Sequence, residues 1–376
     1  MNATLRFSFG EEESEAAEAI LQALSRLEKD GDAEGTRRLC ARPESFATEP
    51  GTCFHSVSGS RDGGTVICST QDGRLVFYDS RGKVRQTLGL GRHAASCTSL
   101  APGDSLLFAC CVPREGETGA TSHLKSFSRS KSGEWRADGT LESVLHGEKR
   151  WFTCVKAFSK TGTTRIATGE LDNGGLDGKV RVYELEEGTA LCRATTPLVT
   201  FSGHTDFVTS LLEDPREGSC AVFSGSADGT TRMWDPRTRG QACSFLYRGR
   251  EEEGSCVASL DARNNVLCSG FFNGKCLFWD LRMPRDALFT LEVDGSPVMA
   301  AKLHPRPPEG THEAAICTNS EDCVYLGIPE EACVFRAAFR QEGHTPKRFF
   351  DAAWLQSPEG PRFVAVGEDI CLFDCR

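Results

Sequence analysis

Gly203-His204, then Ser224-Gly225-Ser226-Ala227-Asp228, then Trp234-Asp235: this stretch of the 376-residue chain decides the fold. It reads as a strand of small residues, a turn at Asp228 and a second strand that ends on an aromatic–acid pair. Asp228 lies six positions before Trp234, and the same offset returns at Asp72 to Tyr78, Asp177 to Tyr183 and Asn273 to Trp279. Working outward, comparable third-strand aromatics fall at Tyr78, Phe127, Tyr183, Trp234, Trp279, Tyr325 and Phe373. Their spacing, roughly 45 to 55 residues, is the period of an array of small stacked sheets.

The repeats begin near Cys53. The strands expected in the clearest units are Thr65–Thr70 with Leu75–Asp79, Arg165–Gly169 with Lys179–Tyr183, and Val266–Gly270 with Cys276–Asp280. The poorest unit spans Cys97 to about Leu141, and the last carries Phe350–Trp354, Phe363–Val366 and Ile370–Asp374. Ahead of them, Thr4–Phe9 alternates as a short strand. Glu11–Lys29 places Ala16, Ala17, Ile20, Leu21, Leu24 and Leu27 on one face of an amphipathic helix. Polar Asp30–Gly51 reads as a linker. The last unit has three strands before Arg376, so Thr4–Phe9 is expected to supply its outer strand and close the array.

Composition suits an all-β protein: 39% apolar, 38 glycines for turns and 23 phenylalanines for strands. A net charge of −10 argues against broad electrostatic binding to nucleic acid or acidic membranes. No apolar run is long enough to span a bilayer, so no membrane insertion is expected. The eighteen cysteines are scattered without any CxxC, which points to small buried hydrophobes in a reducing compartment, cytoplasmic or nuclear. The eight histidines form neither HxxxH nor HExxH, and no metal or cofactor is expected. Gly270-Phe271-Phe272-Asn273-Gly274-Lys275 lacks the spacing of a phosphate loop and reads as a hairpin turn.

These residues resemble the WD-repeat family. The resemblance covers about Cys53 to Arg376, and it implies a seven-bladed β-propeller with residues 1–52 as an N-terminal strand, helix and linker. It also implies that His204, Ser224, Asp228 and Trp234 form a hydrogen-bonded tetrad that fastens a blade, not a hydrolytic triad. A propeller holds its loops rigidly, and this implies a noncatalytic scaffold or adaptor within a multiprotein complex, binding protein partners at a preorganised surface.

Two narrower likenesses accompany it. Trp234-Asp235-Pro236-Arg237 and Trp279-Asp280-Leu281-Arg282, with the looser Tyr78-Asp79-Ser80-Arg81, resemble the box of cullin–RING ubiquitin-ligase substrate receptors. Asp235, Arg237, Asp280, Arg282, Asp79 and Arg81 are therefore candidate partner-binding residues. Val222–Arg237 fits the longer form of that box except at Thr231, where an aliphatic is usual, and the fifth unit carries Asn273 in place of Asp. Paired W-D-x-R units ahead of Gly295–Pro305, with His344 before Ala353-Trp354, are similar to diphthine methylesterases; no catalytic residue carries over.

Overall fold

What determines this architecture is that short, apolar, Gly-punctuated strands cannot cover their own faces, so consecutive hairpin sheets must stack on one another. A computed structural model describes residues 5–8, 39–41, 46–115, 117, 121–142, 144–145, 148–160, 163–172, 177–185, 196–238, 240–246, 255–282, 287–293, 295–307, 311–319, 323–329, 334–336, 348–356 and 360–375. Within them the protein is an all-β propeller built of antiparallel sheets, seven among the described residues. The helix expected over Glu11–Lys29 lies outside the described residues.

The innermost strands of the sheets are Phe54–Gly59, His93–Leu100, Glu148–Lys160, Val208–Glu213, Val257–Arg263, Val298–Leu303 and Phe349–Leu355. Each touches the next in chain order, and the last touches the first, so they line a central channel. The apolar cores lie between neighbouring sheets. One joins Val266, Cys268 and Phe278 of the fifth sheet to Val298, Ala314 and Ile316 of the sixth, and another joins Val66 and Tyr78 of the first to Val364 and Leu372 of the seventh.

Close stacking explains the glycines of the deciding stretch. A Cβ on Gly225 would lie 2.5 Å from Val257 Cγ1 in the next sheet, and one on Gly270 would lie 2.6 Å from Val298 Cγ1. Side chains also stitch one inner strand to the next. Ser99 Oγ accepts from the Ala157 amide at 2.9 Å, Asp261 from Leu303 at 2.7 Å and Asp351 from Val57 at 3.0 Å. Burial raises the Asp261 and Asp351 carboxyls, and each accepts a second amide, from Ala262 and Ala352.

The closing strand differs from expectation. Leu39–Ala41 pairs with Ile370–Cys375 and supplies the outer strand of the seventh sheet, with Cys40 opposite Asp374. Leu5–Ser8 instead adds a fifth strand to the fifth sheet, pairing with Ala287–Val293 so that Arg6 stands opposite Glu292. Period-2 alternation shows that a segment can be a strand but does not say which sheet edge it joins, and both edges had room for one. Part of the expected linker is thus structural: Phe46 is buried and meets the Tyr78 ring edge-on at 5.0 Å.

Candidate protein-interaction surface

Every innermost strand carries the same irregularity. Its pairing with the second strand of its sheet shifts register at one residue, between Phe54 and Ser56, Ala95 and Cys97, Phe152 and Cys154, Val208 and Ser210, Val257 and Ser259, Val298 and Ala300, and Phe349 and Asp351. A β-bulge leaves its extra residue out of the ladder and re-aims its side chain. The residues so displaced are His55, Ser96, Thr153, Thr209, Ala258, Met299 and Phe350, and all of them line two cavities at one end of the channel.

The larger cavity, about 480 Å³, is lined by six of those residues with Trp151, Phe207, Phe272, Leu171 and Val112. Trp151, Phe207 and Phe272 are 44%, 40% and 44% exposed, which places three large aromatic surfaces from three sheets in solvent around one opening. The second cavity, about 390 Å³, shares Val112 and is mixed in character, with Ala94 and Pro113 beside His55, Gln71, Arg114, Glu115 and Glu117. Burial lowers the basicity of His55, whose ring meets Phe350 edge-on at 6.4 Å. No motif marked these residues. The available signal was an aromatic where a turn would ordinarily be polar, as in Asp206-Phe207 and Phe271-Phe272-Asn273.

At the periphery of the same end, His204, Ser224, Asp228 and Trp234 meet in one chain of hydrogen bonds. Trp234 Nε1 donates to Ser224 Oγ at 2.7 Å, Ser224 Oγ lies 2.7 Å from His204 Nε2, and His204 Nδ1 lies 2.8 Å from Asp228 Oδ2. With the indole proton fixed, the hydroxyl donates to Nε2 and the Nδ1 proton goes to the carboxylate. Asp228 also accepts from the Thr230 amide, the Thr230 hydroxyl and the Thr205 amide. Burial pushes its carboxyl up, but the bonds from His204 and Thr230 outweigh burial and hold it well below the usual carboxylate range. Ser224 is fully buried and His204 nearly so. An Asp–His–Ser order is therefore present, with its hydroxyl sealed from solvent and already hydrogen-bonded to an indole.

Thr231, the departure from the longer box, is buried and sits 3.3 Å from the Ser269 hydroxyl of the fifth sheet. In the third sheet, which lacks the tetrad, a buried ionic cluster occupies the corresponding region. Glu170 takes Arg181 at 2.6 Å, the Tyr183 hydroxyl at 2.9 Å and the Thr168 hydroxyl at 2.5 Å. Asp172 takes Arg181 and Lys179, both at 2.7 Å; burial raises its carboxyl, but those cations pull it down to about 2. Asp172 is thus held by two cations of its own strand pair.

The W-D-x-R residues lie at the other end of the strands. Arg237 forks onto Asp235, with Nε 3.0 Å from Oδ1 and Nη2 2.7 Å from Oδ2, and Arg282 forks onto Asp280 in the same way at 2.9 and 2.7 Å. The two arginine side chains are 66% and 70% exposed. The looser first unit differs: the Asp79 carboxylate accepts the amides of Arg81 and Lys83 and pairs with Arg85 at 2.7 Å, so its side-chain partner is Arg85 and not Arg81. A further fork, Arg216 on Asp214 at 2.9 and 2.7 Å, was missed because no aromatic precedes it. His344 of the methylesterase likeness lies outside the described residues.

Among the described residues no group of three or more His, Cys, Asp and Glu is placed to hold a metal ion. No helix among them is long and apolar enough to cross a membrane. Residues 195–235 match the family model described as WD domain, G-beta repeat. The chain is 25% identical over 205 residues to human dynein axonemal assembly factor 10, covering 50% of this chain and 55% of that protein. It is 30% identical over 186 residues to a U3 snoRNP-associated protein-like protein of Arabidopsis thaliana, covering 48% and 35%. A 64-residue stretch is 38% identical to a ribosome biogenesis protein of Yarrowia lipolytica, covering 17% and 12%. The chain thus spans about half the length of the first of these relatives and less of the others.

Proposed function

We propose, for a chain that belongs to the WD-repeat β-propeller family, the role of a noncatalytic scaffold that holds a protein partner at the bulge-lined end of its channel. The observation that carries this reading is the aromatic opening formed by Trp151, Phe207 and Phe272 in the cavity that six of the seven displaced residues line. Exposed apolar patches at a rigid concave surface mark interaction sites, and side chains held on bulges lose little entropy on binding. The names of the relatives, an assembly factor and proteins of ribonucleoprotein and ribosome biogenesis, support work within multiprotein complexes. Burial of Ser224 argues against hydrolysis by the Asp–His–Ser set.

In this reading residues 53–376 form a ring of seven blades, residues 1–52 attach to it through the strands Leu5–Ser8 and Leu39–Ala41, and the cytoplasm or nucleus is its compartment. The tetrad acts as a fastener. The test is affinity purification of the tagged full chain against a Trp151→Ser, Phe207→Ser, Phe272→Ser variant. These side chains are exposed, so the variant folds, which circular dichroism and thermal melting verify. Loss of the partners recovered with the wild type is the expected result; an unchanged partner set contradicts the reading.

A second reading is favoured by the two matching forks on consecutive sheets at the opposite end. Asp235 and Asp280 hold Arg237 and Arg282 outward, in the arrangement a cullin–RING adaptor would need. Arg237→Glu with Arg282→Glu is expected to abolish capture of that adaptor, and unchanged capture contradicts it.

A further inference from the structure

The larger cavity at the channel end is uncharged. None of the residues that line it is ionisable, and Phe207, Phe272, Met299 and Phe350 bring apolar groups to it from four successive sheets. In the adjoining smaller cavity Glu117 is ion-paired with both Arg92 and Arg114 at 3.7 Å, so the carboxylates there are countered by two guanidinium groups. A charged group entering the larger cavity would lose its hydration and gain no counterion.

Its polar groups are of one kind. Apart from the indole of Trp151, which is 44% exposed, they are the hydroxyls of Ser96, Thr153 and Thr209, and the proton of each is engaged within the protein. Ser96 donates to the Cys110 carbonyl at 3.4 Å and Thr153 to the Cys154 sulfur at 3.8 Å. Thr209 donates to the carbonyls of Val257 and Gly225, the latter at 3.0 Å. A hydroxyl has one proton and two lone pairs, so these three offer a ligand acceptors only. The matching side chain is large, apolar and uncharged, with a donor and no acceptor. Tryptophan alone meets that description. Tyrosine, neutral histidine, asparagine and glutamine each bring an acceptor of their own, and phenylalanine, leucine and methionine leave the hydroxyl lone pairs dry.

Resting on the docking reading above, we infer that the partner is a protein segment that anchors in the larger cavity through a tryptophan side chain. The ring packs among Phe207, Phe272 and Phe350 and against the Met299 sulfur, and its N–H donates to one of the three hydroxyls. The volume of about 480 Å³ lies within the range, roughly 300–1,000 Å³, of pockets that enclose a compact ligand. Desolvation of the ring provides most of the affinity. The hydrogen bond favours tryptophan over phenylalanine by about three- to tenfold, the net worth of one neutral bond.

The test is selection of a random peptide display library on the immobilised full chain. Tryptophan is expected at one position, at least about threefold enriched over phenylalanine, leucine and methionine. A selected peptide and its counterpart with phenylalanine in place of that tryptophan are then titrated against wild type, Ser96→Ala, Thr153→Val and Thr209→Val. Thr153→Val gives up only a bond to sulfur, so it keeps the test open if Thr209→Val fails to fold. The tryptophan advantage should vanish in at least one variant while the phenylalanine peptide binds as before. Equal enrichment of phenylalanine, leucine or methionine, enrichment of charged residues, or an advantage that every folded variant keeps overturns this inference and leaves the docking reading standing. Selection that the Phe207→Ser, Phe272→Ser variant reproduces unchanged, or no enrichment at all, overturns both.

Discussion

Asp228 and Ser224 show how one position can look chemical and act mechanically. Ser224 Oγ bridges an indole and an imidazole inside the protein, so Ser224→Ala leaves two buried polar groups without that partner. A loss of about 1–3 kcal/mol in urea unfolding is expected. Asp228→Asn removes the charge that receives the His204 proton and should cost about 1.5–3 kcal/mol at pH 7. Because the folded carboxyl is held below its unfolded value of about 4, its contribution is complete above that value and disappears as pH falls through the folded one. The stability gap between wild type and Asp228→Asn should therefore narrow in denaturation curves taken at successively lower pH below 4. A gap independent of pH would mean that the Asp228 charge is not what the variant removes. The residues of this set were legible in the sequence because their spacing recurs; their burial was not, since solvent access depends on the neighbouring sheets.

At the scale of elements, the third sheet shows that a tetrad is one of several ways to close a hairpin. Glu170 has no exposed surface and two arginines within reach, Arg181 at 2.6 Å and Arg150 at 3.9 Å. Glu170→Gln leaves Arg150 without a carboxylate partner and Arg181 with Asp172 alone, so a loss of about 3 kcal/mol in chemical denaturation is expected. Nothing in Glu170 or Arg181 as sequence marked them, because their meeting depends on strand register. Strand edges carry the same lesson. Thr4–Phe9 was readable as a strand, but its partner was not, and Leu39–Ala41 is too short to stand out from a polar stretch. Cys40→Pro should disturb the pairing with Asp374 and lower the melting temperature of the whole chain. Arg6→Pro, on a strand added outside a complete four-stranded sheet, should change it less. The reverse order in differential scanning fluorimetry would return the closing role to the first strand. The arginine forks behave as local units: each Asp also binds the amide two residues on, which explains why Arg216 repeats the geometry of Arg237 and Arg282 without the preceding aromatic.

For the whole molecule, the repeat period revealed the architecture because stacking constrains many residues at once, and the small residues that permit it fall at repeated positions. The binding end was poorly legible. A bulge is a relation between two strands, and the seven displaced residues, from His55 to Phe350, share no residue type that a motif could capture. Their convergence at one opening follows from ring closure, which brings together residues separated by nearly the whole chain. The most direct measurement is hydrogen–deuterium exchange of the full chain alone and in its co-purified complex. Slowed exchange on binding is predicted around Ala94–Cys97, Trp151–Thr153, Phe207–Thr209, Phe272 and Phe350. Protection confined instead to Asp214–Arg216, Asp235–Arg237 and Asp280–Arg282 would contradict the assignment and move the partner to the opposite end of the ring.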